Sequence, residues 1–110
     1  MPKTAKQTQV ISEGATELGA VDFGPWLDSG EKLTGTPTVA EVTTTDLTIN
    51  TVAVSTSPLT ILDEGVSIGE AVQWLVSGQQ SSTSYRLRVT ATTDASPART
   101  EVLDVLMDCI

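Results

Sequence analysis

A chain of 110 residues has room for one hydrophobic core and needs no covalent staple to close it. Its single cysteine, Cys109, and its lack of histidine exclude a Cys/His zinc site, an intramolecular disulfide and any Cys-His or Ser-His nucleophilic pair. With six Lys and Arg against 14 Asp and Glu, a net charge of −8, it has no cationic footprint for nucleic acid, and it would be steered toward basic surfaces only within a screening length of about 8–10 Å.

Residues 1–16 are polar and aperiodic apart from Val10-Ile11, so they read as an arm that is flexible unless bound, with residues 17–110 as the folded domain. Lys3 and Lys6 precede no apolar stretch, and nowhere do 18 apolar residues run together; neither a secretory leader nor a membrane span is expected. Alternation from Leu18 predicts a first strand that Gly24-Pro25 breaks, since proline has no N–H for a ladder, with Trp26 at the bend. Asp28-Ser29-Gly30 is a turn, Glu31 to Leu33 a short edge piece and Gly35-Thr36-Pro37 a second break.

Residues 39–43 and 47–54 are rich in β-branched side chains and predict two strands joined through Thr44-Thr45-Asp46. Residues 55–70 read as one short apolar strand, 59–62, in a long excursion that contains Pro58 and the acidic turn Asp63-Glu64-Gly65. From residue 71 Val72, Trp74 and Val76 share one face against Gln73 and Leu75. After a polar turn, Tyr85, Leu87, Val89 and Ala91 oppose Arg86, Arg88 and Thr90, and later Leu103, Val105, Met107 and Cys109 oppose Asp104 and Asp108. About seven short strands with turn signals between them predict an all-β, antiparallel, immunoglobulin-like β-sandwich.

Only 4% of the residues are aromatic, and Phe23, Trp26, Trp74 and Tyr85 account for all of them. Their bulk suits core anchors, and the alternation turns Trp74 inward; the competing reading of Trp26 and Trp74 is a ligand-stacking platform. Asp63 and Glu64 with Glu70 match no calcium loop and read as a solvated acidic turn, so no metal or other cofactor is expected. Asp22 with Asp28 or Glu31 would need a cleft to act as a catalytic pair, and no polar cluster offers one. Arg86 and Arg88, one pleat repeat apart, would either grip a partner's carboxylates or pair across strands with Asp104 or Asp108. Cys109 reads as a small apolar side chain on a terminal strand, the alternative being an intermolecular bridge.

The segments Val21-Asp22-Phe23-Gly24-Pro25-Trp26-Leu27, Gly30-Glu31-Lys32-Leu33, Val72-Gln73-Trp74-Leu75-Val76-Ser77-Gly78, Thr83-Ser84-Tyr85-Arg86-Leu87, and Thr92-Thr93 to Arg99-Thr100 together resemble the fibre-tail adaptor family of tailed bacteriophages. Ser77-Gly78-Gln79 departs from the double glycine of that pattern, and residues 55–68 add an excursion to it. The resemblance implies a non-enzymatic immunoglobulin-like virion protein at the head-tail, neck or fibre-tail junction, made in the host cytoplasm and docked in multiple copies on other virion subunits. It implies no nucleic acid, membrane or small-molecule substrate. Gly24 and Pro25 would set a bend, Trp26 and Trp74 fill the core and Gly78 close a hairpin. Docking would then fall to the arm (Lys3, Lys6, Val10, Ile11), the excursion with Asp63 and Glu64, the Arg86/Arg88 face, and any open sheet edge. The alternatives are a capsid decoration protein and a carbohydrate-binding module on the virion surface.

Overall fold

The computed structural model describes residues 3–4, 9–42, 44–61 and 64–110. Ten strands are present among them: β1 (Lys3–Thr4), β2 (Gln9–Ile11), β3 (Glu17–Asp22), β4 (Leu33–Glu41), β5 (Thr48–Val54), β6 (Leu59–Ile61), β7 (Glu64–Val66), β8 (Ala71–Ser77), β9 (Ser84–Thr93) and β10 (Thr100–Cys109). One sheet runs β1-β10-β9-β4, with β2 also on β10; the other runs β3-β8-β5, and β6 and β7 form a separate hairpin. The fold is an all-β sandwich whose two sheets divide the chain in immunoglobulin-like order.

Period-two alternation builds the core between the sheets. On β8, Val72, Trp74 and Val76 are buried; on β9, Tyr85, Leu87, Val89 and Ala91; on β10, Leu103, Val105, Met107 and Cys109. Ile49, Val52 and Val54 of β5, in the same sheet as β8, pack against this cluster. The β8, β9 and β10 sets each lie on a single face because successive side chains of a strand point oppositely, while on β5 the register shift after Asn50 brings Ile49 and Val52 to the same side.

Three elements differ from the expectations above. The segment read as a loose arm contributes β1 and β2, which pair parallel to β10, so the sandwich is not purely antiparallel. Ile11 is 3% exposed and sits in the core cluster, which a solvated arm would not allow. Its contact role as an exposed arm residue is therefore replaced by packing.

The predicted break at Gly35-Thr36-Pro37 is absorbed inside one strand: β4 continues through it by shifting register between Thr34 and Thr38. The excursion forms two paired strands, with Leu59 opposite Val66 and Ile61 opposite Glu64, so Glu64 and Gly65 of the expected acidic turn lie in a strand instead.

Candidate docking surface

Phe23 is fully enclosed, and after it a short 3-10 turn over Gly24–Trp26 carries Pro25 at its start. Asp22 Oδ1 accepts the Gly24 N–H at 2.7 Å, and the Phe23 N–H donates to the Glu70 carbonyl at 2.8 Å, so the bend is fixed from both sides. Trp26, in this turn, is half-buried and packs against the core cluster rather than being enclosed within it. Trp74, at 0% exposure, fills the centre directly over Gly19, whose missing side chain leaves the space for the indole. The Trp74 ring is therefore out of reach of any ligand.

Tyr85 packs its ring in the core and uses its hydroxyl at the rim, accepting the Gln80 N–H at 2.7 Å and contacting Asp46 Oδ2 at 3.2 Å. Gly78 adopts φ +84°, and a Cβ there would lie 2.7 Å from the Asp46 carbonyl oxygen, so two independent constraints require glycine at this hairpin. Beside it is a residue that sequence reasoning passed over. Gln79 is buried, and its Nε2 donates to the Ser12 and Ala15 carbonyls at 2.7 and 3.0 Å, tying the β8–β9 turn to the β2–β3 turn. No periodicity marks a glutamine in a polar turn as buried.

Arg86 and Arg88 converge on one carboxylate. Arg86 Nε donates to Asp104 Oδ2 at 2.6 Å and Arg88 Nε to Asp104 Oδ1 at 2.9 Å, with Arg88 Nη2 on Oδ2 at 3.2 Å. The antiparallel register sets Arg88 opposite Asp104 and Arg86 opposite Leu106, one diagonal step away. Asp104 is completely buried beneath the two guanidiniums, and hydrogen bonds from Arg88 first, then Arg86, hold its carboxyl below the usual carboxylate range. Asp108 instead accepts the Ser84 hydroxyl at 2.8 Å.

A second network closes the opposite loops. Glu31, 6% exposed, takes the guanidinium of Arg99 on both oxygens and the Asp28 N–H at 2.8 Å on Oε1. The Arg99 bond, followed by the Asp28 N–H, lowers its pKa from 4.5 to about 2. Lys32 Nζ holds Glu70 at 2.6 Å, and the Lys32 N–H donates to Asp94 Oδ1 at 2.9 Å. Glu31 is thus held by Arg99 and Glu70 by Lys32, while Asp22 Oδ1 accepts the Gly24 N–H.

Every cation whose side chain is described, Lys32, Arg86, Arg88 and Arg99, already holds a carboxylate. Among the described residues no three metal-ligating side chains gather. Lys6 and Asp63 lie outside the described residues, while Lys3 and Glu64 are placed only as backbone, in β1 and β7.

The surface that remains for contact is apolar. Val10 and Leu18 are each 63% exposed and, with Ile61, line a groove of about 270 Å³ between β2, β3 and the hairpin. A wider groove of about 910 Å³ follows the other side of the hairpin along Leu59, Val66 and Ile68, with Lys32 at its rim. Two of the sheet edges are poor templates for an added strand: β4 carries a bulge and Pro37, and β5 shifts register after Asn50, where Thr51 adopts φ +56°, whereas the β3 edge is regular. Cys109 is buried, and desolvation first, then the charges of Glu13 and Glu17, pushes its thiol pKa up, away from the reactive thiolate.

Comparison of the chain with protein-family models, curated proteins and solved structures finds no match in any of the three.

Proposed function

We propose that this chain is a non-enzymatic structural subunit of a tailed-bacteriophage virion, an adaptor at the head-tail, neck or fibre-tail junction that docks in multiple copies on other virion proteins. The motif resemblance suggests the particle. One observation supports the division of labour within the chain: the motif's bulky residues Phe23, Trp74 and Tyr85 are consumed by the core, whereas the exposed apolar residues Val10 and Ile68 and the β6–β7 hairpin lie outside the motif segments.

Small apolar contacts of this kind are weak singly and become stable when a symmetric particle repeats them, because each bound copy raises the effective concentration of the next contact. The interrupted edges of β4 and β5 disfavour strand addition at those two edges. A carbohydrate-binding reading would need stacked, accessible aromatics, and the burial of Phe23, Trp74 and Tyr85 removes three of the four rings from that role.

The test is to express an epitope-tagged chain during infection, purify the particles and image gold-labelled antibody on them. Label at the neck or tail supports the adaptor reading, label over the head shell replaces it with the decoration reading, and particles without the chain overturn both.

A further inference from the structure

β3 lies at the edge of its sheet, paired with β8 on one side only. Its register fixes which backbone groups turn away from that ladder. The Phe23 N–H donates to the Glu70 carbonyl, and counting back by twos along the unbroken antiparallel register places Val21, Gly19 and Glu17 in the hydrogen-bonded pairs with β8. Leu18, Ala20 and Asp22 therefore aim their N–H and C=O groups at the sheet edge. The Ala20 carbonyl agrees with this parity, because the Gln9 side-chain amide reaches across from β2 and donates to it. Unlike β4 and β5, this edge has no bulge, proline or left-handed residue to blunt it.

The groove of about 270 Å³ follows the same edge, lined by Leu18 and Ala20 of β3, Val10 and Ile11 of β2, and Ile61 of β6. Glu17 is the one charged residue in that lining, and among the described residues no cation joins it. The groove is smaller than the roughly 300–1,000 Å³ of small-molecule sites, so it suits side chains standing on a backbone rather than a free ligand.

We infer that the β3 edge accepts an extended segment of a different protein, one that alternates apolar side chains and carries a lysine or arginine. Outward groups repeating every second residue select a strand over a helix, since only an extended chain offers its own N–H and C=O at that spacing. Alternate side chains of the added strand then enter the apolar groove. Charge separates this partner from a second copy. Another β3 would add the carboxylates of a second Glu17 and Asp22 to the seam between two chains of −8, whereas a cation on the incoming strand meets Glu17. Gln9 is the place-holder, satisfying the Ala20 carbonyl as the N–H of an added strand would.

The inference concerns the free chain, so its test is separate from that of the adaptor reading. The probe is a capped, fluorescein-labelled octapeptide of alternating valine and threonine with lysine at both ends, titrated against the full chain by anisotropy. Binding should saturate below about 1 mM, and glutamate in place of both lysines should weaken it at least about tenfold. With the lysine peptide bound, hydrogen exchange should slow at the Leu18 and Ala20 amides. Ala20→Pro removes an N–H that points to the edge and leaves the β8 ladder whole, so this variant should melt near the parent and lose at least about tenfold in peptide affinity. If it loses native circular dichroism, Leu18→Pro takes its place, and the exchange measurement on the parent needs no variant. A peptide that does not saturate, a glutamate peptide that binds equally well, a folded proline variant that binds like the parent, or protection that appears away from β3 overturns the proposal. So does a parent chain that dimerises through β3, which would make a second copy the occupant.

Discussion

Asp104 shows what a single outward residue can carry. Its two arginines keep partial contact with water while the carboxylate has none, so Asp104→Ala leaves two guanidiniums without their acceptor but not stranded. The expected loss is about 1–3 kcal/mol in urea unfolding, below the cost of breaking a fully buried pair. Glu31 gives the pH counterpart. Its folded pKa lies below its ordinary value, so its contribution is fully present above pH 4.5 and is lost as pH falls toward about 2. Asp104 is depressed as well and adds to the same acid limb. The melting temperature should therefore drop through that window, and Glu31→Gln should flatten the drop; an unchanged acid limb in that variant would remove Glu31 from the account.

At the scale of elements, the β3–β8 pair rests on one large and one absent side chain. Trp74→Ala empties the centre of the core and should cost about 3–5 kcal/mol. Gly19→Ala drives a methyl into an indole that is enclosed on every side, and should cost about 1–3 kcal/mol by overpacking. Denaturant midpoints measure both, and a harmless Gly19→Ala would mean that the Trp74 ring has room to move. On β5, Thr51 holds a left-handed backbone conformation that a β-branched residue disfavours. Thr51→Asn should raise stability by about 0.5–1 kcal/mol, read as a higher melting temperature, since asparagine tolerates that region better.

For the molecule as a whole, the N-terminal segment behaves as part of the sandwich. Removing residues 1–16 takes away β2, exposes the site of Ile11 and strands the Gln79 amide that had bonded Ser12 and Ala15. Ile11 burial is worth about 1.5–3 kcal/mol and an unpaired buried amide costs about 1–3 kcal/mol, so the truncated chain should be severely destabilised. Thermal unfolding of the deletion decides this: a native-like melting temperature would return the segment to the status of an arm.

The sequence by itself determined the strands whose alternation is clean. Residues 71–77, 84–93 and 100–109 declare their inner and outer faces because most inward positions are bulky and apolar and most outward ones are polar. The pairing of Arg86 and Arg88 with a carboxylate on the next strand was legible for the same reason, as one of two readings. What only the tertiary structure decided are features that depend on residues distant in the chain. Val10-Ile11 becomes a strand because β10 offers a parallel edge, and too few residues are involved to leave a periodic signal. Trp26 is only half-buried where the Gly24–Trp26 turn sets it against the core, and Gln79 is buried because two carbonyls of the β2–β3 turn meet it. Leu18, Leu75 and Asn50 are unremarkable one by one and become a surface when three strands bring them into a row.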